Sequence, residues 1–150
     1  MGAAFATAIL AKPMLFAQTK AADAAKMTVA AAINKAGRQR MLSQRTAKFF
    51  MFREWGLSKP VEADLNAART EFRAAIVTLR TDPKSTDEIK TQLGLAETQW
   101  LFFDTGVEAS LKAKADTIRR QNVANSSERI LEVFETVTGM YERLAVPTRG

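Results

Sequence analysis

The sequence predicts an all-α fold, an antiparallel up-down-up-down four-helix bundle, on three observations. Helix-forming residues dominate the 150-residue chain, with only four prolines and seven glycines to interrupt them. Those interruptions fall at points that divide the chain into helical segments of bundle length. Two of the segments carry apolar residues at strict four-three spacing, the seam of helices that cross near about 20° over short loops.

The segments follow in order. Residues 1–19 read as an export signal: Gly2 to Ala17 is almost wholly apolar, and the chain turns polar at Gln18-Thr19-Lys20. Lys12-Pro13 interrupts that run, which is short for a span of about 20 apolar residues. Export to the periplasm is the expectation, with an uncleaved membrane anchor or a cytoplasmic helix start as the alternatives. Residues 20–146 then form the bundle, and 147–150 a tail.

The first helix is expected from about Lys20 to Trp55, ending at Gly56-Leu57-Ser58-Lys59-Pro60. The second, about Val61 to Arg80, places Val61, Leu65, Ala68, Phe72, Ala75 and Leu79 on one seam. Thr81-Asp82-Pro83 ends it, and Ser85 or Thr86 caps the third, with Asp87 and Glu88 in the favourable first turn. Ile89, Leu93, Ala96, Trp100, Phe103 and Val107 repeat the seam there. Lys114 to Asn125 fits either a helix continuation or a loop. A fourth helix, with Ser126 or Ser127 as its cap, carries Ile130, Phe134, Val137, Tyr141 and Leu144 and closes at Pro147. The aromatics Phe72, Trp100, Phe103 and Phe134 sit on seams and are expected in the core.

Composition excludes several kinds of chemistry. There is no cysteine and no histidine, so thiol catalysis, disulfides, zinc-finger spacing and histidine acid–base work are absent. Glu97, Asp104 and Glu108 lie on one helix. A di-iron carboxylate site in a bundle needs histidine beside glutamate, so these acids are expected as solvated charges. No enzyme, metal or cofactor is expected.

The net charge of +6 is not spread evenly. From Ala24 to Arg53 there is no acid, while Lys26, Lys35, Arg38, Arg40, Arg45, Lys48 and Arg53 supply positive charge; the rest of the chain nets −1. Such a segment suits nucleic acid, an anionic membrane surface or a small anion. Nucleic acid is excluded, because no recognisable binding module is present and no aromatic stacking platform is interleaved with the bases.

Within that segment Ile33 to Arg45 reads INKAGRQRMLSQR. It resembles the periplasmic signature of nitrate/nitrite sensor kinases of the NarX and NarQ type, I-N-x-A-G-x-x-R-M-x-S-x-R, through Ile33, Asn34, Ala36, Gly37, Arg40, Met41, Ser43 and Arg45. With the later SERILEVFETVTGMYERL, the chain is still more similar to the PilJ-type domain, the amino-terminal sensor domain of type IV pilus methyl-accepting chemotaxis transducers. The resemblance spans about Ala24 to Ala145. It implies a bundle that dimerises through its first helix and binds one nitrate or nitrite on the two-fold axis. Arg40 would be the principal ligand with Gly37 beside it. Lys35 and Ala36 would complete the ligand set, and Ile33, Asn34 and Arg45 would support it.

Helical geometry is consistent with part of this. Ile33, Gly37, Arg40 and Gln44 fall within about 60° on a 3.6-residue period. Lys35 and Arg45 lie about 140° from Arg40 and are expected to pair with acids on neighbouring helices. Gly37 costs about 0.5–1 kcal/mol against alanine inside a helix. Close approach of a second helix around an ion would explain it, and so would packing within the bundle. For Arg40 the alternatives are a solvated face and a planar fork for an oxyanion.

Arg38 and Gln39 replace the small and apolar residues common in the kinase signature, which loosens the expected selectivity for nitrate. A stand-alone exported anion sensor is the leading expectation. It would act through an unknown membrane receptor, kinase or transporter. The alternative is an interaction protein of the same fold, with no small ligand, whose basic helix docks an acidic partner or membrane headgroups.

Overall fold

The computed structural model describes residues 27–57 and 61–146. The export segment, the expected helix start at 20–26, residues 58–60 and the tail lie outside the described residues, as does the side chain of Val61. Four helices account for nearly all the rest: α1 Val29–Glu54, α2 Val61–Thr81, α3 Asp87–Lys112 and α4 Thr117–Ala145. No described residue lies in a strand, and no helix among them is long and apolar enough to cross a membrane.

Each N-terminus with a described cap satisfies an orphan backbone donor by side chain. Thr28 Oγ1 accepts from Ala31 N at 3.1 Å, Thr86 Oγ1 from Ile89 N at 3.3 Å, and Asp116 Oδ1 from Arg119 N at 2.7 Å. Gly56 ends α1 with φ of 69°, a left-handed conformation that a side chain would strain, and Leu57 N reaches back to Phe52 O at 2.9 Å.

The fourth helix corrects the sequence expectation. It starts nine residues before Ser126, at Thr117, and its cap is Asp116. Ser127 is instead a buried mid-helix residue whose hydroxyl bonds Ala124 O. Thr86, not Ser85, caps α3; Ser85 bonds Leu79 O at 2.6 Å and the Tyr141 hydroxyl at 2.5 Å.

The seams pack as expected. Leu65, Phe72, Leu79, Leu93, Phe103, Val107, Ile130, Phe134, Val137 and Tyr141 are fully buried. Leu144 departs from its seam and is 44% exposed in the last turn. The centre is aromatic: Phe72 stacks on Trp100 with centroids 3.8 Å apart, Phe134 meets Phe72 edge-on at 5.6 Å, and Phe103 lies 5.1 Å from Trp100. α1 packs between α2 and α4, and α3 packs chiefly on α4.

α2 and α3 pack less closely than the other neighbours, and charged pairs line the seam between them. Arg69 bonds Asp104 at 2.5 Å and Glu108 at 2.6 Å, Arg73 also holds Asp104, and Arg80 holds Glu97. These pairs run antiparallel up the seam. Glu97, Asp104 and Glu108 are thus not free solvated charges: long cationic side chains from α2 engage all three. Arg69 and Asp104 are buried. Burial opposes the charge on Arg69, but its bonds to Asp104 and Glu108 outweigh that cost and raise its pKa above the ordinary arginine value.

Removing one member of a buried pair costs about 3–5 kcal/mol where the other is left unpaired; Arg73 still holds Asp104, so the low end applies here. Arg69→Ala should therefore destabilise the bundle by about 3 kcal/mol in urea unfolding followed by circular dichroism. Arg80→Ala, which breaks an exposed pair, should cost less than about 1 kcal/mol.

Candidate functional site

α1 carries three kinds of surface. Its core face includes Ala32, Ala36, Gln39, Leu42, Ser43 and Thr46. Ser43 bonds Arg40 O at 2.9 Å and Thr46 bonds Leu42 O at 2.8 Å, so their hydroxyls need nothing from the neighbouring helices. An outer face exposes Asn34, Arg38, Met41, Arg45 and Lys48. Between them, on the flank toward α4, Ile33, Gly37, Arg40 and Gln44 are half-buried.

That flank is the stripe the sequence marks out. Gln44 donates to Ser127 O at 3.4 Å and to Glu128 Oε1 at 3.2 Å. The Arg40 guanidinium stays on the surface, its side chain 40% exposed, and its nearest carboxylate is Glu135 at 3.9 Å. This is beyond hydrogen-bond distance. A Cβ placed on Gly37 would meet only Arg40 Nη2, at 3.8 Å. That is ordinary contact, so packing inside one chain does not require a glycine there. The bare backbone at Gly37 leaves an open spot directly beside the guanidinium.

The other expected site residues are not gathered at that spot. Ala36 is fully buried in the core, and Asn34 is exposed on the outer face. Lys35 lies toward α2, away from Arg40. The expected pairing of Lys35 and Arg45 with acids is not found: neither has a carboxylate within 4 Å among the described residues. Arg45 instead lies over Phe49 at 5.2 Å, and Lys48 sits near both Phe49 and Phe52.

Arg38 is the α1 cation that does find an acid on α2. Its hydrogen bond to Glu71 is the main cause that holds that carboxyl below the ordinary glutamate range, burial opposes it, and the charges of Lys35 and Arg45 add to it. Glu71 is a residue beside α1 that the sequence alone does not mark, since it belongs to no motif or seam; Glu135 lies within the later matched stretch, but nothing there singles it out.

A family model described as the type IV pili methyl-accepting chemotaxis transducer N-term, PilJ, matches residues 26–126. The match runs through α1, α2 and α3 and into α4. The chain belongs to the PilJ family. PilJ domains are sensory and non-catalytic, and typically stand outside the membrane in receptors, so this bundle is a sensor-type module. No curated protein and no solved structure matches the chain.

A depressed carboxylate contributes stability above its unfolded pKa and loses it as pH falls through the folded value. The Arg38–Glu71 tie between α1 and α2 should therefore be intact at neutral pH and fade as pH falls through and below the ordinary glutamate range. Thermal melts should show the parent losing more stability over that window than Glu71→Gln, whose loss omits this pair.

Proposed function

We propose that this PilJ domain is a periplasmic sensor that binds a small oxyanion, nitrate or nitrite, between the first helices of two copies. The binding event passes to a membrane receptor, kinase or transporter. The observation that carries this reading is Arg40: its guanidinium lies over the bare backbone at Gly37 and no carboxylate of the described residues is within hydrogen-bond reach. Arg38, Arg69, Arg73 and Arg80, by contrast, each hydrogen-bond a carboxylate.

A planar guanidinium offers two parallel, charge-assisted hydrogen bonds to a planar oxyanion. On a two-fold axis the site would use Arg40 from both copies. Two such heads about 7 Å apart repel by about 2.4 kcal/mol at an effective dielectric of 20. An anion between them replaces that repulsion with attraction, so occupancy and dimer geometry become linked. Gly37 lets the partner helix approach, and the exposed Met41 supplies an apolar contact beside the axis. The apolar run from Gly2 to Ala17 supports export.

Calorimetric titration with nitrate, nitrite, chloride and sulfate tests the ligand. Arg40→Ala should abolish nitrate binding and Arg40→Lys should weaken it severely, because an ammonium lacks the fork. Two copies of a charge-assisted bond at about 1.5–3 kcal/mol each represent about 3–6 kcal/mol, a large share of a micromolar affinity of about 8 kcal/mol. Arg45→Ala should keep a measurable affinity. Nitrate binding by Arg40→Ala equal to the parent's, or no heat from the parent at millimolar nitrate, defeats the anion reading in favour of an interaction protein.

The dimer is tested separately by Met41→Cys in a chain with no other thiol. Gln44 is the poorer reporter because it bonds α4. Oxidation should join Met41→Cys to its own copy efficiently. Cross-linking confined to cysteines placed on α2 or α3 would contradict the arrangement.

A further inference from the structure

The outer face of α3 carries a second seam. Thr91, Leu95, Thr98, Phe102, Thr105 and Ala109 follow the same four-three spacing as the buried seam, but on the solvent side. Leu95 is 47% exposed and Phe102 64%. The three threonines are less polar than they look. Thr91 Oγ1 bonds Asp87 O at 2.8 Å, Thr98 bonds Gly94 O at 3.0 Å, and Thr105 bonds Leu101 O at 2.7 Å. With the hydroxyls satisfied inside the helix, the stripe has little left to offer but methyl, leucyl and phenyl groups. No charge interrupts it, because Glu97, Asp104 and Glu108 all face the arginines of α2.

Beside this stripe, between α3 and α4, runs a groove of about 660 Å³ lined by Phe102, Gly106 and Ile118. Ile118 is 68% exposed. A Cβ on Gly106 would come within 3.0 Å of Val123, so the glycine brings the two helices close beneath the groove. The α4 wall is rich in donors: Arg119, Asn122, Asn125 and Arg129. Neither arginine has a carboxylate within 4 Å among the described residues. The one acid on the groove, Asp116, caps α4 through Arg119 N.

We propose that this face of α3 and α4 docks an amphipathic helix of a partner protein, with an apolar seam at four-three spacing and an acidic edge. The heptad stripe fixes the secondary structure of the occupant, because only a helix presents side chains at that period along the whole stripe. The unpaired arginines fix the sign of its edge. Arg119 and Arg129 stand about 15 Å apart along α4 at 1.5 Å per residue, so the partner's acids would be spaced by about three turns. The face shares no residue with the Arg40 stripe and does not rest on the anion reading.

Fluorescence anisotropy with two labelled synthetic helices tests this on the full chain. Both would be about three heptads long with leucine on the seam, one carrying glutamate and the other lysine on the flanking edge. The glutamate helix should bind at least about tenfold tighter than the lysine helix, and Phe102→Glu should weaken it by at least about tenfold. Reversing both arginines, Arg119→Glu with Arg129→Glu, should invert the preference. Nitrate titration of Phe102→Glu should match the parent's, so the two sites can fail independently. No binding of the glutamate helix, equal binding of both helices, or binding indifferent to Phe102→Glu would overturn the proposal. So would self-association of the chain that Phe102→Glu abolishes, which would assign the face to a second copy.

Discussion

Lys35, Arg38, Arg40, Arg45, Lys48 and Arg53 share one helix with no acid before Glu54, and the bundle must accommodate that charge. Each cation is handled by what lies at its own angle around α1. Arg38 reaches α2 and Glu71; Arg45 and Lys48 rest on Phe49 and Phe52. Arg53 turns inward to bond Ser110 O at 2.6 Å and Leu111 O at 3.0 Å, closing the last turn of α3. Arg40 is left with a distant carboxylate and a bare glycine beside it. A half-buried guanidinium with no carboxylate in hydrogen-bond reach among the described residues, beside a glycine, is the feature on which the proposed anion site rests.

α3 faces the opposite problem. Its acids are drawn to one side by the arginines of α2, and the spacing of the two sets is the same: 69, 73, 80 on α2 against 108, 104, 97 on α3. That antiparallel ladder holds the pair through charge beside the Phe72–Trp100 stack. It also strips the outer face of α3 of charge, leaving a stripe whose only hydrophilic groups are threonine hydroxyls turned back on their own helix. The ion-pair ladder and the apolar face are two results of one partition of residues around α3.

Much of this was legible in the sequence because period and punctuation are local. The seams of α2 and α3 follow from four-three spacing, and Gly56 and Pro83 mark the ends. The start of α4 was not legible from apolar period, since Thr117 to Asn125 buries little beyond Val123. The available signal was Asp116, an aspartate cap ahead of a polar first turn. Arg45 was expected beside an acid because spacing gives angle but not distance; Phe49, one turn on, was the nearer partner. Arg40 and Gly37 were legible as neighbours on a stripe, whereas Glu135 became their neighbour only once the register of α1 against α4 was known. The match of identical spacings between the α2 arginines and the α3 acids was present in the sequence and needed only the antiparallel pairing to be seen.

The claim most open to direct test is that an anion on Arg40 and the pairing of first helices are one event. Light scattering of the chain across a concentration series, with and without nitrate, measures both together. Nitrate should shift the mass toward the dimer at concentrations where the apo chain is partly monomeric, and the same ionic strength of sulfate should shift it less. A mass that stays the same at saturating nitrate throughout the series would contradict the coupling.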